Sequence, residues 1–304
     1  MTSDAFPQDL PPDHRSGYVA LVGKPNVGKS TLMNALLGQK LSIVTEKPQT
    51  TRRRVLGIHS GEKHQVIFLD TPGVIDPRYA LQQSMMNSVD SAVSEADLLL
   101  FLADATREDP DELSLQRIPQ QRPALLVLTK MDLVPQEQAL PLVDDYLALR
   151  AFEEVVPTSA VDGTNLGVLL DEVTEHLPEG PPFYPKDQIS EQPERFFAAE
   201  IVREKVFRQF RQEIPYSVQV NVTAFERQDG RKTLIDAEIV ANKNSQKGIL
   251  IGEGGHAVKQ IGEAAREDIE TLLDGEDVYL QLHVKVREDW RERPGLLRSY
   301  GYRA

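Results

Sequence analysis

The sequence contains no cysteine and no long hydrophobic run. A chain without cysteine has no disulfide framework, no cysteine-ligated zinc site and no catalytic thiol. The longest apolar runs, such as Leu98–Ala103 and Ala124–Leu128, are far shorter than the roughly 18 residues that cross a bilayer. The first residues also lack the basic and apolar regions of a signal peptide. We therefore expect a soluble, cytoplasmic protein.

Basic residues are too few to balance the acidic ones: 34 Lys and Arg face 47 Asp and Glu, for a net charge of −13. An acidic chain binds nucleic acid only where a local basic surface makes the contact. Residues 201–304 contain as many basic as acidic residues, so any such surface is expected there. The apolar share of 40% is enough for packed cores, and 304 residues allow about two domains.

Short apolar runs alternate with amphipathic stretches from Tyr18 to His176. The runs are rich in Val, Ile, Leu and Phe without strict alternation, as in strands that are buried on both faces. Helices are predicted at Lys29–Leu37 and Asp162–Leu177. This order predicts an α/β domain, a mostly parallel sheet with helices on both faces. The predicted strands are Tyr18–Val22, Gln65–Leu69, Leu98–Ala103, Ala124–Leu128 and Val155–Val156.

A proline-rich segment after Leu177 ends this pattern, because proline continues neither a helix nor a central strand. Beyond it, apolar and polar residues alternate in Ser217–Phe225 and Val278–Val286, as in strands with one solvent-exposed face. Between them, Ala257–Leu273 carries an apolar stripe at helical spacing. This pattern of strands and a helix predicts a second domain, of the α+β class. The predicted boundaries are a flexible lead-in at 1–16, domains at 17–178 and 195–288, a linker at 179–194 and a basic tail at 289–304.

A phosphate-binding loop follows the first predicted strand and opens the first predicted helix. Its pattern is G-x-x-x-x-G-K-S, in which inward-facing N–H groups and the helix N-terminus bind phosphates. Lys29 supplies a positive charge to the β- and γ-phosphates, and the Ser30 hydroxyl is a Mg²⁺ ligand. The predicted nucleotide contacts in this loop are Gly23, Lys24, Pro25, Asn26, Val27, Gly28, Lys29, Ser30 and Thr31.

Two further segments are predicted to close on the γ-phosphate and the metal ion. Asp70 ends a strand and is expected to hold Mg²⁺ through water, while the Gly73 N–H meets the γ-phosphate. Of the adjacent Thr50 and Thr51 in the polar loop after the first helix, we assign Thr51 as the ligand. The predicted metal ligands are Ser30, Thr51 and Asp70. The predicted catalytic residues are Lys29, Thr51, Asp70 and Gly73. The predicted nucleotide contacts after this strand are Asp70, Thr71, Pro72, Gly73 and Val74.

Two segments after later strands select the base. The Asp132 carboxylate can accept hydrogen bonds from the N1–H and the 2-amino group of guanine, whereas adenine lacks this donor pair and leaves the carboxylate unpaired. The stem of Lys130 can pack on the base plane. Guanine is therefore favoured, and a metabolic ATPase or kinase is disfavoured. The predicted base-binding residues are Thr129, Lys130, Met131, Asp132, Ser159 and Ala160.

A second glycine motif, G-x-x-G at Gly252–Gly255, lies between two helical stretches of the second domain. The order helix, strand, strand, helix, G-x-x-G, helix, strand is that of a type II KH domain. Its glycine loop approaches the backbone of single-stranded nucleic acid. Apolar side chains, with Ile261 among them, are expected beside the bases. The predicted RNA contacts are Lys247, Ile249, Ile251, Gly252, Glu253, Gly254, Gly255, His256, Val258 and Lys259.

These nucleotide-binding segments, in this order, are the signature of the GTPase superfamily. With a KH domain behind them, the chain from Tyr18 to Tyr302 resembles the Era family of GTPases. The resemblance implies a GTPase that binds 16S rRNA near its 3′ end through the KH domain and assists assembly of the small ribosomal subunit. It also implies peripheral association with the inner face of the cell membrane. We further expect a monomer that exchanges GTP and GDP.

Thr129 and Glu253 depart from the pattern of the family, and Val74 departs from the pattern of Ras-type GTPases. Val74 stands where Ras-type GTPases place a water-orienting glutamine, so we expect slow intrinsic hydrolysis, with K⁺ near Asn26 adding positive charge. Thr129 stands where many relatives have asparagine, but it keeps a side-chain oxygen. Glu253 places a negative charge in the RNA loop, which nearby basic residues can offset: Lys243, Lys247, His256 and Lys259.

Two functions for the second domain stay open from the sequence. In the first, the domain binds single-stranded RNA, and GTP controls that binding. In the second, the chain is a GTPase whose C-terminal domain docks a protein partner. RNA binding that weakens with salt distinguishes them, because a phosphate backbone releases its condensed counterions when basic residues bind it.

Overall fold

The structure is a computed structural model that describes residues 11–227 and 230–302. The chain divides into two compact units. The first consists of the chain up to Ser42 together with Thr51–Pro77 and Met85–Glu191. The second consists of Ile43–Thr50, Arg78–Ser84 and the chain from Gln192 onward. The predicted α/β and α+β parts therefore both have a compact core of their own.

The first unit is built around a six-stranded sheet in the part of the chain that is described. Its strand order is β2-β3-β1-β4-β5-β6, and only the β2–β3 pair is antiparallel. The central strands are buried on both faces because their side chains are almost all apolar. The strands are β1 (Arg15–Val22), β2 (Val55–Ser60), β3 (His64–Asp70), β4 (Leu98–Asp104), β5 (Ala124–Thr129) and β6 (Val155–Pro157).

Helices connect these strands, as crossovers between parallel strands require. The first helix has the predicted bounds, while the helix predicted at Asp162–Leu177 is shorter and begins after the left-handed Asn165. The edge strand β2 was not predicted, because Gly57 and His59 interrupt its apolar run. The helices are α1 (Lys29–Leu37), α2 (Ala80–Glu95), α3 (Glu112–Leu115), α4 (Gln136–Leu149) and α5 (Leu166–Glu175).

The chain enters and leaves the sheet of the first unit at one place. Arg15 forms a β-bridge with Glu179, and the Gly180 N–H donates to the His14 carbonyl over 2.9 Å. The Ser16 hydroxyl donates to the Pro181 carbonyl over 2.6 Å. Residues 15 and 16, predicted as part of a flexible lead-in, are therefore the start of β1, while residues 1–10 lie outside the described part of the chain.

The second unit has a three-stranded sheet among its described residues, in the order β7-β8-β9. The β7–β8 pair is antiparallel and the β8–β9 pair is parallel. Apolar side chains of the sheet and of helices α6 and α8 form one core. The elements are α6 (Glu194–Gln209), β7 (Val218–Glu226), β8 (Thr233–Ala241), α7 (Asn244–Ile251), α8 (His256–Leu272), β9 (Val278–Val286) and α9 (Pro294–Ser299).

The segment predicted as a basic tail is folded into the second unit. Trp290 is completely buried, and its indole N–H donates to the Ser217 carbonyl over 3.1 Å. The Tyr302 hydroxyl donates to Gln219 Oε1 over 2.7 Å. A large aromatic residue that is fully buried contributes several kilocalories per mole, so this segment stabilises the unit rather than only adding charge.

None of the helices in the described residues is both long enough and apolar enough to cross a membrane. The longest, α8, spans 17 residues. Its exposed face is charged, with Lys259, Glu263 and Glu267 on the surface. This agrees with the absence of long apolar runs in the sequence.

Candidate nucleotide-binding and RNA-binding sites

The phosphate-binding loop runs from β1 to the first turn of α1, where the backbone N–H groups of a helix are free to bind anions. Lys29 is 6% exposed, and its Nζ donates to the carbonyl oxygens of Gly23 and Lys24 over 2.9 and 2.8 Å. Burial lowers the pKa of Lys29 to about 8, against the opposing effect of Asp70 and Asp111. A bound phosphate would favour the charged form of this lysine.

The three predicted metal ligands lie together in the first unit. Ser30 Oγ donates to Asp70 Oδ2 over 2.7 Å and lies 2.9 Å from Thr51 Oγ1. Ser42, which carries no motif and was not predicted, also donates to Asp70 Oδ2, over 2.8 Å. Thr51 Oγ1 is 3.4 Å from the same carboxylate oxygen. The structure thus surrounds one carboxylate with three hydroxyl groups.

This cluster fits a magnesium ion. Asp70 is completely buried, and its Oδ1 has no hydrogen-bond partner among the described residues. Burial raises the pKa of Asp70, while hydrogen bonds from Ser30 and its neighbours and the charge of Lys29 lower it. A buried carboxylate oxygen beside hydroxyl groups is a set of hard donors of the kind that Mg²⁺ binds together with nucleotide phosphates.

The two candidate threonines have different partners. Thr51 points its hydroxyl at Ser30 and Asp70, as described above. The Thr50 hydroxyl instead donates to the Lys47 carbonyl over 2.7 Å and lies 2.7 Å from Thr45 Oγ1. Thr50 is therefore engaged within its own loop, which favours Thr51 as the metal ligand.

The loop after β3 packs against the phosphate-binding loop through main-chain atoms. A Cβ added to Gly73 would lie 2.5 Å from Pro25 Cα, so only glycine allows this approach. The Val74 N–H donates to the Gly23 carbonyl over 3.1 Å, and Val74 is 1% exposed. The Thr71 hydroxyl donates to the Leu21 carbonyl over 2.6 Å. The apolar residue at 74 is thus part of the core.

Asp132, the predicted guanine-selecting residue, is exposed and held by a neighbour. The Ser159 hydroxyl donates to Asp132 Oδ1 over 2.7 Å, a role of this side chain that we did not predict. Lys130 has a left-handed backbone, and its Nζ forms an ion pair with Asp104 Oδ2 at 2.6 Å. The Met131 N–H donates to the Thr158 carbonyl over 3.2 Å. The segments after β5 and β6 therefore lie side by side, as guanine recognition requires.

Thr129 joins three parts of the nucleotide site. Its hydroxyl donates to the carbonyl of Val27 in the phosphate-binding loop over 2.6 Å and lies 3.1 Å from the Ala103 carbonyl at the end of β4. Thr129 is 5% exposed. The side-chain oxygen expected at this position therefore supports the phosphate-binding loop.

A cavity of about 580 Å³ adjoins the phosphate-binding loop, and Asp111 is among its lining residues that the sequence did not single out. Asp111 is 3% exposed, and its Oδ1 lies 3.6 Å from Lys24 Nζ. Its backbone N–H donates to the Tyr146 hydroxyl over 2.8 Å, and burial raises the pKa of Tyr146 to about 12. Asp111 thus places a buried negative charge beside the lysines of the loop, but no motif marks it.

The G-x-x-G segment is a tight turn between α7 and α8. A Cβ on Gly252 would lie 2.7 Å from the Ala257 Cβ, and Gly252 has a positive φ of 73°, which favours glycine. Gly254 and Gly255 also have positive φ, of 58° and 82°, but no atom would touch a Cβ there within 4 Å. The outer side of this turn is therefore open to a ligand, as predicted for contact with an RNA backbone.

The other predicted RNA contacts surround this turn. Ile249 is 48% exposed, while Ile261, which we expected beside the bases, is completely buried in the core of the second unit. Lys259 forms a surface ion pair with Glu263 at 3.7 Å. The remaining predicted contacts are exposed at Glu253, Gly254, His256 and Lys259 and half-buried at Lys247, Ile251, Gly252, Gly255 and Val258.

Comparison with known families and proteins covers both units. A family model described as 50S ribosome-binding GTPase matches residues 18–130, and a KH domain model matches residues 213–291. The chain is 47% identical to the chloroplastic GTPase ERA1 of Zea mays over 99% of this chain and 73% of that protein. It is 43% identical to the GTPase Era of Heliobacterium modesticaldum over 95% of this chain and 97% of that protein.

Two solved structures of relatives superpose on almost the whole chain. One is a variant of Aquifex aeolicus Era bound to GDP·AlF4−, with 42% identity, 95% of this chain and 100% of that chain covered, and a TM-score of 0.91. The other is Era in complex with MgGDPNP and nucleotides 1506–1542 of 16S ribosomal RNA, with 41% identity, 96% and 100% covered, and a TM-score of 0.91. Both structural matches support the fold class predicted from the sequence.

The buried Lys29 leads to a testable prediction about proton uptake. Because its pKa is about 8, part of Lys29 is neutral near pH 8.5 in the nucleotide-free protein, and bound phosphates favour the charged form. GDP binding at about pH 8.5 is therefore expected to take up protons. Calorimetric titrations in two buffers of different ionisation enthalpy measure this uptake, which should decrease at about pH 7. Equal heats in both buffers at the higher pH would contradict the prediction.

Thr129 leads to a second prediction. Thr129→Val keeps the side-chain shape but removes the donor to the Val27 carbonyl. We expect affinity for GDP to fall about tenfold, the size of one lost hydrogen bond. Thr129→Ser keeps the hydroxyl and is the matched control, with affinity close to that of the unsubstituted chain. Titration with a fluorescent GDP analogue measures all three, and equal affinity for the Val and Ser variants would disprove the role of the hydroxyl.

Proposed function

The chain belongs to the Era family of GTPases, and on that basis we propose that it is a GTP-driven switch that binds RNA of the small ribosomal subunit and assists its assembly. As a member of this family it hydrolyses GTP to GDP and phosphate. The main support for the RNA partner is that one chain carries both the nucleotide site around Lys29 and the open G-x-x-G turn at Gly252–Gly255. An Era structure that superposes on both units holds a GTP analogue and a 16S rRNA fragment.

The residues of the first unit account for the binding of GTP. Lys29 and the helix N-terminus bind the phosphates, and Asp132 with Ser159 selects guanine. Ser30, Thr51 and Asp70 would hold Mg²⁺, which supplies positive charge to the phosphates when it is bound. The Gly73 N–H is assigned to the γ-phosphate, so loss of that phosphate releases the loop after β3.

Hydrolysis is expected to be slow because Val74 is buried and apolar and orients no water. We propose that K⁺ near Asn26 supplies charge in its place. Asn26 has a left-handed backbone and lines the cavity beside the phosphate-binding loop. Its amide carbonyl oxygen is the type of ligand that a hard cation binds.

Single-turnover GTP hydrolysis tests the K⁺ proposal. We expect the rate to be several-fold higher in K⁺ than in Na⁺ at equal ionic strength. Asn26→Ala should remove most of this difference while leaving hydrolysis in Na⁺ little changed. Equal rates of the unsubstituted chain in both salts would refute a role for the cation.

RNA binding tests the proposed function of the second unit. Filter binding with a single-stranded 16S rRNA 3′ fragment and a non-hydrolysable GTP analogue should give an affinity that falls with salt. Gly255→Asp adds a negative charge on the open side of the turn and should abolish RNA binding, with GDP affinity unchanged. Glu253→Lys is the matched variant of opposite charge and should tighten binding and raise the salt slope by about 0.7.

The competing function makes a different prediction for the same measurements. If the second unit docks a protein, the unsubstituted chain shows no salt-dependent RNA affinity, and neither loop variant changes it. Peripheral membrane association, a monomeric state and cytoplasmic localisation stay predictions from the family resemblance.

A further inference from the structure

Ser42 lies in the loop after α1 and belongs to none of the nucleotide-binding motifs. It is 2% exposed, and its hydroxyl donates to Asp70 Oδ2 over 2.8 Å. Asp70 is completely buried. Because both groups are buried, water has no ready access to replace this hydrogen bond if it is lost. The contact is therefore a specific part of the surroundings of Asp70.

The side chain of Asn34 in α1 holds this serine in place. Asn34 Oδ1 accepts hydrogen bonds from the N–H groups of Leu41 and Ser42 over 3.0 and 2.9 Å. Asn34 Nδ2 donates to the Ser42 carbonyl over 2.8 Å. An amide side chain that bonds both the N–H and the carbonyl of one residue fixes the backbone of that residue. Ser42 is thus attached to the helix that begins at Lys29.

Two serines occupy one oxygen of the Asp70 carboxylate. Ser30 Oγ donates to Asp70 Oδ2 over 2.7 Å and Ser42 Oγ donates to it over 2.8 Å, and a carboxylate oxygen has about two lone-pair sites. The other oxygen, Oδ1, is buried and has no partner among the described residues. The protein therefore satisfies one oxygen of this carboxylate and leaves the other for a ligand.

This asymmetry needs a donor that does not move. The χ2 torsion of aspartate is broad, so the side chain itself does little to keep its two oxygens apart in role. Ser30 is an assigned metal ligand, and its surroundings change when the metal ion binds. Ser42 is not among the assigned ligands, and Asn34 fixes its position from the helix. Its hydroxyl can therefore hold Asp70 in the same orientation with and without the metal ion.

We propose that Ser42 is a positioning residue for the magnesium site. It fixes the orientation of the Asp70 carboxylate, so that Oδ1 stays available to the metal ion or to water bound to it. Asn34 acts one step further away, because it holds Ser42. The inference rests on the magnesium site proposed above for Ser30, Thr51 and Asp70, and it adds residues that are not themselves ligands.

Ser42→Ala removes the hydroxyl and is expected to weaken metal binding far more than nucleotide binding. The measurement is the affinity for a fluorescent, non-hydrolysable GTP analogue, in saturating Mg²⁺ and in excess EDTA. The ratio of the two affinities should fall about tenfold, the size of one lost hydrogen bond to a charged group, with the affinity in EDTA little changed. Ser42→Thr keeps the hydroxyl and should restore the ratio.

Ser114→Ala is the matched control, because it also removes a buried hydroxyl from the first unit. Ser114 is completely buried, and its Oγ has no hydrogen-bond partner among the described residues. This variant should leave the affinity ratio unchanged. A fall of the same size in Ser114→Ala would show that any buried hydroxyl has this effect, and it would contradict a specific role for Ser42.

Asn34→Ala tests the attachment of Ser42 to α1. It should lower the affinity ratio in the same direction as Ser42→Ala. The double variant should have about the ratio of Ser42→Ala alone, because both substitutions act through one hydroxyl. Effects of the two substitutions that add would contradict this coupling.

Binding of Mn²⁺ gives a second readout, which requires neither hydrolysis nor a fluorescent nucleotide. Electron paramagnetic resonance of free Mn²⁺, in titrations of the complex with an unlabelled GTP analogue, should give a dissociation constant about tenfold higher for Ser42→Ala than for the unsubstituted chain. An unchanged constant in a Ser42→Ala chain of normal thermal stability would overturn the inference and leave the proposed magnesium site intact. Failure of the unsubstituted chain to bind Mn²⁺ would instead refute the magnesium site, and the role of Ser42 with it.

Discussion

Two buried charges, on Lys29 and Asp70, organise the nucleotide site. A charge that leaves water needs an opposite charge and hydrogen bonds to remain stable. The protein satisfies this need only in part: Lys29 is held by two carbonyl groups, and one oxygen of Asp70 has no partner among the described residues. Phosphates and a metal ion complete both sets of interactions. The site is therefore stable in full only when nucleotide is present, which is what a switch controlled by a nucleotide requires.

The parallel sheet explains why these groups meet. The carboxyl ends of β1, β3, β4, β5 and β6 lie at one edge, and ligands bind at such edges in open α/β sheets. Thr129 uses this arrangement to join β5 to the phosphate-binding loop and to the end of β4. Ser159 joins the end of β6 to Asp132. Small hydroxyl side chains thus couple base recognition to phosphate binding.

The sequence was most informative where a pattern repeats or a motif is dense. The bounds of α1 and β9 agree with the prediction to the residue, because the phosphate-binding loop fixes one and strict alternation fixes the other. No sequence motif marks Ser42 or Asp111, because each is a single polar residue in a loop. Ser42 acquires its role only when the fold places it beside Asp70, and Asp111 only when the fold places it beside Lys24. Ile261 was placed beside RNA because an apolar stripe does not tell which members face the core.

The β-bridge between Arg15 and Glu179 has a consequence for how this GTPase is built into a longer chain. The chain enters and leaves this sheet at neighbouring points, so the two ends of the nucleotide-binding domain lie close together. Domains with close ends can be inserted into another protein without separating the residues of that protein on either side of the insertion. The same closeness of ends would let an engineer join them by a short loop and open new termini elsewhere. Recombination between genes can therefore join such a domain to different RNA-binding domains without changing its nucleotide chemistry.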